Sequence, residues 1–395
     1  MNKWCLLPLF LIFSVINPSA AQKVHLIDTL YYNTDGGSLK SVISYYITGK
    51  DTLRDGAASF YYQNGGLWQE GFYKNNLEDS LWTIYFASGK KEKIIIYKNG
   101  KRNGSFTYFH DNGNIKTEGS FLNDSLTGEM KIYFPDGQVN EIRSYSKNKL
   151  NGLMTGYYRT GNINYRIEFL DSIQNGLYES YYPSGILKEK GTSKDGQFYD
   201  LYRSYYENGQ VEKEITYKNN EIDGPLIVYW DNGSMRSNNV YVNGKIEGLG
   251  KSFYKDGSLF ETGDYKSGKR EGTWKSFYPD SIIYMEGKYI NGIPEGIWNV
   301  YHPSGQLKQT GMYKKGLSEG FWQFFYPNGQ VKTKGFYLNN KENGKWVFYY
   351  ENGKIKMDLN YSDGKLDGMQ YGFDTEGNLL EKAEYSNGQL IRKIK

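Results

Sequence analysis

Cysteine is nearly missing from this chain: 395 residues contain one, Cys5. That excludes a disulfide framework and, once the segment carrying Cys5 is removed, a thiol nucleophile. Histidine is almost as scarce, with His25, His110 and His302 alone. They are read as falling at different positions of the repeat described below, or outside it, which predicts no shared metal or nucleophile and assigns no cofactor. Charge of one sign is lacking too, since 48 basic and 44 acidic residues leave a net +4. No broad basic field points to nucleic acid. Beyond the first residues no apolar run reaches the roughly 20 residues that a membrane span needs. What the chain has instead is Tyr (39), Phe (20) and Gly (47), the vocabulary of strands and tight turns.

The N-terminal segment is of another kind. Lys3 precedes an apolar run from Leu6 to Ile16, followed by the small residues Ser19, Ala20 and Ala21. Residues 1–21 therefore read as a cleaved export signal. The expected location is the periplasm, the outer membrane surface or the extracellular space.

A glycine then recurs every 24 residues, from Gly65, Gly89 and Gly113 through Gly257 to Gly305, Gly329, Gly353 and Gly377, with Ser281 as the break. A period held without insertion means one supersecondary unit copied in tandem. Taking this glycine as position 0, an aliphatic residue stands at +2 (Leu259, Leu307, Val331) and a tyrosine at +8 (Tyr265, Tyr289, Tyr313, Tyr337). A second turn such as Asn243-Gly244 or Ser267-Gly268 follows. Then come a second periodic glycine at +15 (Gly272, Gly296, Gly320, Gly344) and, at +17, Trp82, Trp274, Trp298, Trp322 and Trp346. Asn-Gly and Asp-Gly between β-prone runs predict type I′ turns at both sites, hence two antiparallel strands of about six residues per unit.

The expected fold class is all-β: an elongated tandem-repeat antiparallel β-meander, one two-stranded hairpin per 24-residue repeat, in a single-layer twisted sheet of about 28 strands. The expected organisation is a signal peptide (1–21), a degenerate N-terminal repeat or cap (22–55), the tandem hairpins (56–389) and a polar tail (390–395). Alternation along the strands places Leu259, Gly263, Tyr265, Gly272, Trp274, Ser276 and Tyr278 on one face, with Gly263 roughly opposite Gly272 so that rings lie on bare backbone. Phe260, Thr262, Asp264 and Lys275 fall on the other, wetter face.

The run Tyr-Tyr-x-Asn-Gly, Gly-x-Tyr-x-Asn-Gly, Gly-x-Trp-x-x-Tyr-Tyr, most complete from Gly257 to Gly353, resembles the MORN-repeat variant family, which includes YwqK-type antitoxins. The resemblance covers about Gly56 to Gln389. It implies a hairpin array that binds and neutralises a protein partner, with membrane association and protein scaffolding as the roles of related repeats.

The residues offer little for catalysis. Glu70, Glu118, Glu189, Glu261 and Glu286 lie in strands with basic neighbours, which predicts solvated cross-strand pairing, and no glycine run forms a phosphate loop. The chain reads as a non-enzyme. The candidate binding face is the column Trp274, Trp298, Trp322, Trp346 with Tyr265, Tyr289, Tyr313 and Tyr337, whose rings either cover the paired glycines or meet a ligand. The partner expected is a protein; the alternative is an envelope glycan or lipid held by the aromatic face.

Overall fold

The computed structural model describes residues 24–33, 37–48 and 51–395; the export-signal segment lies outside them. Among the described residues there are 33 strands and no helix, all in one open antiparallel sheet. The surplus over 28 comes from three strands ahead of Gly65, the first marker glycine, namely Val24–Tyr31, Leu39–Thr48 and Asp51–Tyr61, and from two strands split at residues 151 and 367. Most strands are eight or nine residues long, not six. The chain divides into two compact units, one running to Leu187 with Ser193–Gly196 and the other made of Lys188–Thr192 and Gln197–Lys395. In the first, Ile43, Ala58, Tyr73 and Trp82 form a buried cluster. The second carries the longest series of tryptophans.

The two turns of a repeat turn out to be different objects. At the second turn both central residues have positive φ, as in Asn99 (51°) with Gly100 (76°) or Lys315 (51°) with Gly316 (79°). That is the type I′ geometry expected. At the marker glycine only the glycine does: Gly257 has φ 91°, its N–H donates to the Tyr254 carbonyl at 3.0 Å, and the Tyr254 N–H donates to Ser258 at 2.9 Å. This is a three-residue loop, a type I turn closed by a G1 bulge, and it corrects the expectation of type I′ at both sites. The asparagine before the glycine has another task. In Asn112 the side-chain oxygen accepts the Asn114 N–H at 2.9 Å, while its amide donates to the Pro135 carbonyl of the next unit at 2.7 Å.

Ser281, the break in the series, holds the same left-handed conformation, φ 68°, and its N–H makes the same bond, to the Tyr278 carbonyl at 2.9 Å. A side chain in that region costs roughly 1–2 kcal/mol. Ser281→Gly is therefore expected to stabilise the local hairpin by about 1 kcal/mol, read as stronger hydrogen-exchange protection of Ile283–Ile290 and the strand before it.

The glycine at +15 also proves to serve the backbone. Thr262 pairs with Lys275 and Asp264 with Glu271, so Gly263 alone faces the three residues Gly272, Thr273 and Trp274. Two extra residues on the second strand form a bulge, and Gly272 takes φ 70° there. The positions of Gly272, Gly296 and Gly344 leave open space where a side chain would stand. This glycine does not clear room for a ring; it permits the bulge. The ring rests on the glycine at +6, Gly263 under Trp274, because a Cβ there would meet the indole at 2.4 Å.

Candidate functional site

The strand alternation places the tryptophans and tyrosines of the candidate face together, and the register brings Trp274 opposite Gly287, Trp298 opposite Gly311 and Trp322 opposite Gly335. Each indole lies over the glycine of its own hairpin, so Gly287, Gly311 and Gly335 each have one ring above them and another opposite on the preceding strand, whereas Gly263 faces Gly250. Trp274, Trp298, Trp322 and Trp346 are only 2–7% exposed. The tyrosines are half-buried and stand between them edge-on. Ring centroids run 4.9 Å from Tyr265 to Trp274, 6.3 Å to Tyr289, 5.0 Å to Trp298, 5.9 Å to Tyr313 and 5.2 Å to Trp322. Planes near 90° favour the edge-to-face quadrupole interaction. The Arg270 guanidinium covers Trp274 at 4.0 Å and donates to Glu261 at 2.9 Å. The Nε1–H of Trp274 and of Trp346 donates to the carbonyl at +7, Asp264 and Phe336 respectively, at 3.0 Å. In the last unit Gln370 replaces the tryptophan and its amide donates to the same carbonyl, that of Asn360, at 3.0 Å. A groove of about 290 Å³ remains where Phe324, Tyr337, Trp346, Phe348 and Tyr361 converge.

On the opposite face the carboxylates at +5 are not merely solvated. The hydroxyl of Tyr85 donates to Glu70 at 2.6 Å, Tyr133 to Glu118 at 2.6 Å, Tyr229 to Glu214 at 3.0 Å and Tyr301 to Glu286 at 2.8 Å. Every unit with Glu at +5 has Tyr at +20, whereas Ile94, Asn238, Thr262, Thr310 and Asp358 at +5 go with Phe at +20. Burial, helped by the Glu118 carboxylate, pushes Tyr133 up to about 12. The Tyr301 bond, with the Lys275 ammonium at 3.4 Å, holds Glu286 below the usual carboxylate range. Because the folded value of Glu286 is the lower one, its contribution is present above the unfolded carboxylate range and is lost as pH falls through the folded value. Tyr301→Phe should flatten the decline in stability of this hairpin on acidification below about pH 4.5, seen in local exchange protection as a function of pH; an unchanged profile would mean that the hydroxyl does not support the charge.

Sequence reasoning also missed a role for histidine. His110 and His302 do share a repeat position, +21, which corrects the reading that all three are scattered. That position is usually tyrosine, and Tyr254 and Tyr326 donate through their hydroxyls to the carbonyls of Phe277 and Tyr349, 23 residues on, at 2.8 and 2.9 Å. The Nε2 atoms of His110 and His302 lie 3.2 Å from the equivalent carbonyls of Tyr133 and Phe325. A carbonyl only accepts, so Nε2 carries the proton. Trp230 makes the same bond through Nε1 at 3.2 Å. The two histidines are staples between successive marker turns, eight repeats apart. Among the described residues no group of three or more His, Cys, Asp or Glu is placed to hold a metal, and no helix is long and apolar enough to cross a membrane.

A different feature of this second face escaped the sequence reading. Ile297, 67% exposed, pairs with Met312, and Phe321 pairs with Phe336, 50% exposed, with ring centroids 5.1 Å apart. Ile290 and Ile293 flank one type I′ turn of the same edge, and Leu317 and Leu338 stand beside the next two, all exposed. The signal was present in the sequence: apolar residues recur at +7 and +16 in consecutive units there, where other units carry Asp264, Lys288 or Thr273.

Hairpins of fixed length, joined by alternating I′ and G1 turns and contacting only their neighbours, define a tandem β-hairpin repeat protein. The MORN repeat variant model matches residues 54–75, 102–123, 126–147, 150–171, 174–195, 201–219, 246–267, 270–291, 294–315, 319–339 and 342–363. These segments make up more than half of the chain, which belongs to the MORN repeat variant family. Among proteins of curated function nothing matches. Solved structures similar to it include a TcdB2-TccC3 complex, at 10% identity and a TM-score of 0.16, over 90% of this chain and 25% of that one. The Photorhabdus luminescens Tc holotoxin pore matches at 11% identity and a TM-score of 0.14, over 90% of this chain and 26% of that one. The chain thus spans about a quarter of the length of these structures.

Proposed function

We propose that this chain is an exported, non-catalytic repeat scaffold that docks a protein partner, in the manner of an antitoxin or immunity protein, through the apolar patch around Ile297, Met312, Phe321 and Phe336. The observation that carries the reading is that patch: large aliphatic and aromatic side chains left exposed on neighbouring strands. Contiguous apolar surface of this kind marks interaction sites. Its fringe mixes the two signs, with Lys288 beside Glu295, Glu319 opposite Met312, Lys314 opposite Leu317 and Lys341 opposite Leu338. Carboxylates set against the apolar side chains, as Glu319 is against Met312, are repelled by an anionic lipid surface, so the mixture favours a protein. The tryptophan column supports this division of labour, because its rings are engaged with glycines and tyrosines and leave the other face to a partner.

A photo-cross-linker at position 321 should give one saturable adduct in envelope extracts, lost on Ile297→Asp while the melting temperature holds. An adduct that survives Ile297→Asp overturns the assignment. So does a homodimer, seen by sedimentation, that the same substitution dissolves, because the occupant is then a second copy. Export rests on residues 1–21 and predicts a mature N-terminus at Gln22; Met1 retained on protein recovered from the envelope would refute it.

A further inference from the structure

The aromatic column at +17 has a missing rung. Between Leu226 and Trp274 the position is held by Gly250, and the glycine that elsewhere lies beneath the ring is replaced in the same unit by Asn239. Gly and Trp have become Asn and Gly. The result is a pocket of about 210 Å³ lined by Ser237, Asn239, Ser252, Glu261, Tyr265 and Trp274. It has room for one ring, being smaller than the roughly 300 Å³ at which pockets for drug-sized ligands begin.

The polarity of the pocket is as distinctive as its shape. Ser237 pairs with Ser252, Ser252 with Glu261 and Glu261 with Ser276, so a row of three hydroxyls and a carboxylate crosses four strands beside the gap, at about 4.8 Å per step. Three units on, the same row is Gln309, Phe324, Thr333 and Phe348. Among the described residues the side chains of Ser237, Asn239 and Ser252 have no hydrogen-bond partner within the chain. The Asn239 amide leans over Gly250, its Oδ1 2.7 Å from where a Cβ would stand, and the Tyr265 ring borders the same point at 2.6 Å. Glu261 is held by Arg270 at 2.9 Å, which fixes the carboxylate as an acceptor. The +7 carbonyl, which receives the indole N–H of Trp274 and Trp346 and the amide of Gln370 in their own units, belongs here to Val240, and Gly250 has no side chain with which to reach it.

We infer that this notch is a binding site for a single hexopyranose residue of a glycan. A pyranose has an apolar C–H face to set against the ring of Tyr265, with the buried Trp274 closing the wall of the pocket beside it. The sugar's rim of hydroxyls donates to Glu261 and exchanges bonds with Asn239, Ser237 and Ser252. A partner's aromatic side chain would fill the same space, but it would leave that polar row unpaired, and burying unpaired polar groups is costly. The site is distinct from the apolar patch and stands independently of the docking proposed there.

The test is saturation-transfer NMR on the full chain with the methyl glycosides of glucose, galactose, mannose and N-acetylglucosamine, and with N-acetyltryptophanamide as the mimic of a partner's ring. At least one glycoside should receive saturation on its C–H face. Asn239→Gly with Gly250→Trp rebuilds the Gly and Trp pair of the neighbouring units, displaces the Tyr265 ring from Gly250 and should abolish the transfer while the circular dichroism remains that of the folded sheet. Ser252→Ala and Asn239→Ala, which leave the column alone, should each weaken binding about tenfold. Silence of all four glycosides overturns the proposal, as does transfer that persists in the doubly substituted protein, or transfer to N-acetyltryptophanamide alone.

Discussion

Trp322→Ala is expected to lower the local unfolding free energy of its hairpin pair by about 3–5 kcal/mol, the range for deleting a buried indole. Trp322 is 2% exposed, lies on Gly311, where a Cβ would be 2.0 Å from the indole, and is flanked by Tyr313 at 5.2 Å and Tyr337 at 5.7 Å. Gly311 has no side chain with which to refill the space, so the cavity cannot collapse from below and the loss falls at the upper end. Trp68→Ala makes the contrast, since that ring is 42% exposed and its removal should cost under about 1 kcal/mol. A sheet in which each hairpin touches only its neighbours loses stability locally. Hydrogen exchange should accordingly quicken across Leu307–Leu338 and stay unchanged around Ile95 and Phe106. A loss below about 1 kcal/mol at Trp322 would mean that the rings are not the layer that holds the sheet, and would return the column to the list of free binding surfaces.

The architecture was legible because period is information that no single residue carries. The 24-residue spacing, the tyrosine at +8 and the tryptophan at +17 required a hairpin with a ring over a glycine, and Tyr265, Trp274 and Gly263 are placed accordingly. Turn chemistry was only half legible. Asn-Gly stands at both turns, yet one of them pairs its strands across a bulge at the glycine, and the residue pair alone does not reveal which. The Tyr301 and Glu286 bond hid for another reason: its partners are 15 residues apart and meet only once the bulge at Gly296, opposite Gly287, fixes the register. The apolar patch and the notch at Gly250 were both written as departures from the repeat. A consensus reading averages such departures away, so neither Ile297 nor Gly250 stood out in it.

Two glycines six residues apart should respond to the same substitution for unrelated reasons. Gly329 has φ 83° and open space where a Cβ would stand, so Gly329→Ala costs only the left-handed conformation, about 1 kcal/mol. Gly335 is extended, and its Cβ would lie 2.1 Å from the Trp346 indole, a distance at which the ring must move. Trp346 is 3% exposed and is bounded by Tyr337 at 4.9 Å and Phe348 at 6.4 Å, with its Nε1–H bound to the Phe336 carbonyl at 3.0 Å. Moving it breaks that bond and unseats its neighbours, so Gly335→Ala should cost about 3 kcal/mol, the upper end for overpacking. The two mechanisms separate in a Trp346→Ala background. There Gly335→Ala should become nearly neutral, a coupling of about 2 kcal/mol or more in a double-mutant cycle, while Gly329→Ala should cost what it did before, because the turn does not touch the ring. Additivity at Gly335 would show that the ring does not rest on that glycine, and coupling at Gly329 would show that turn and ring are one structural element.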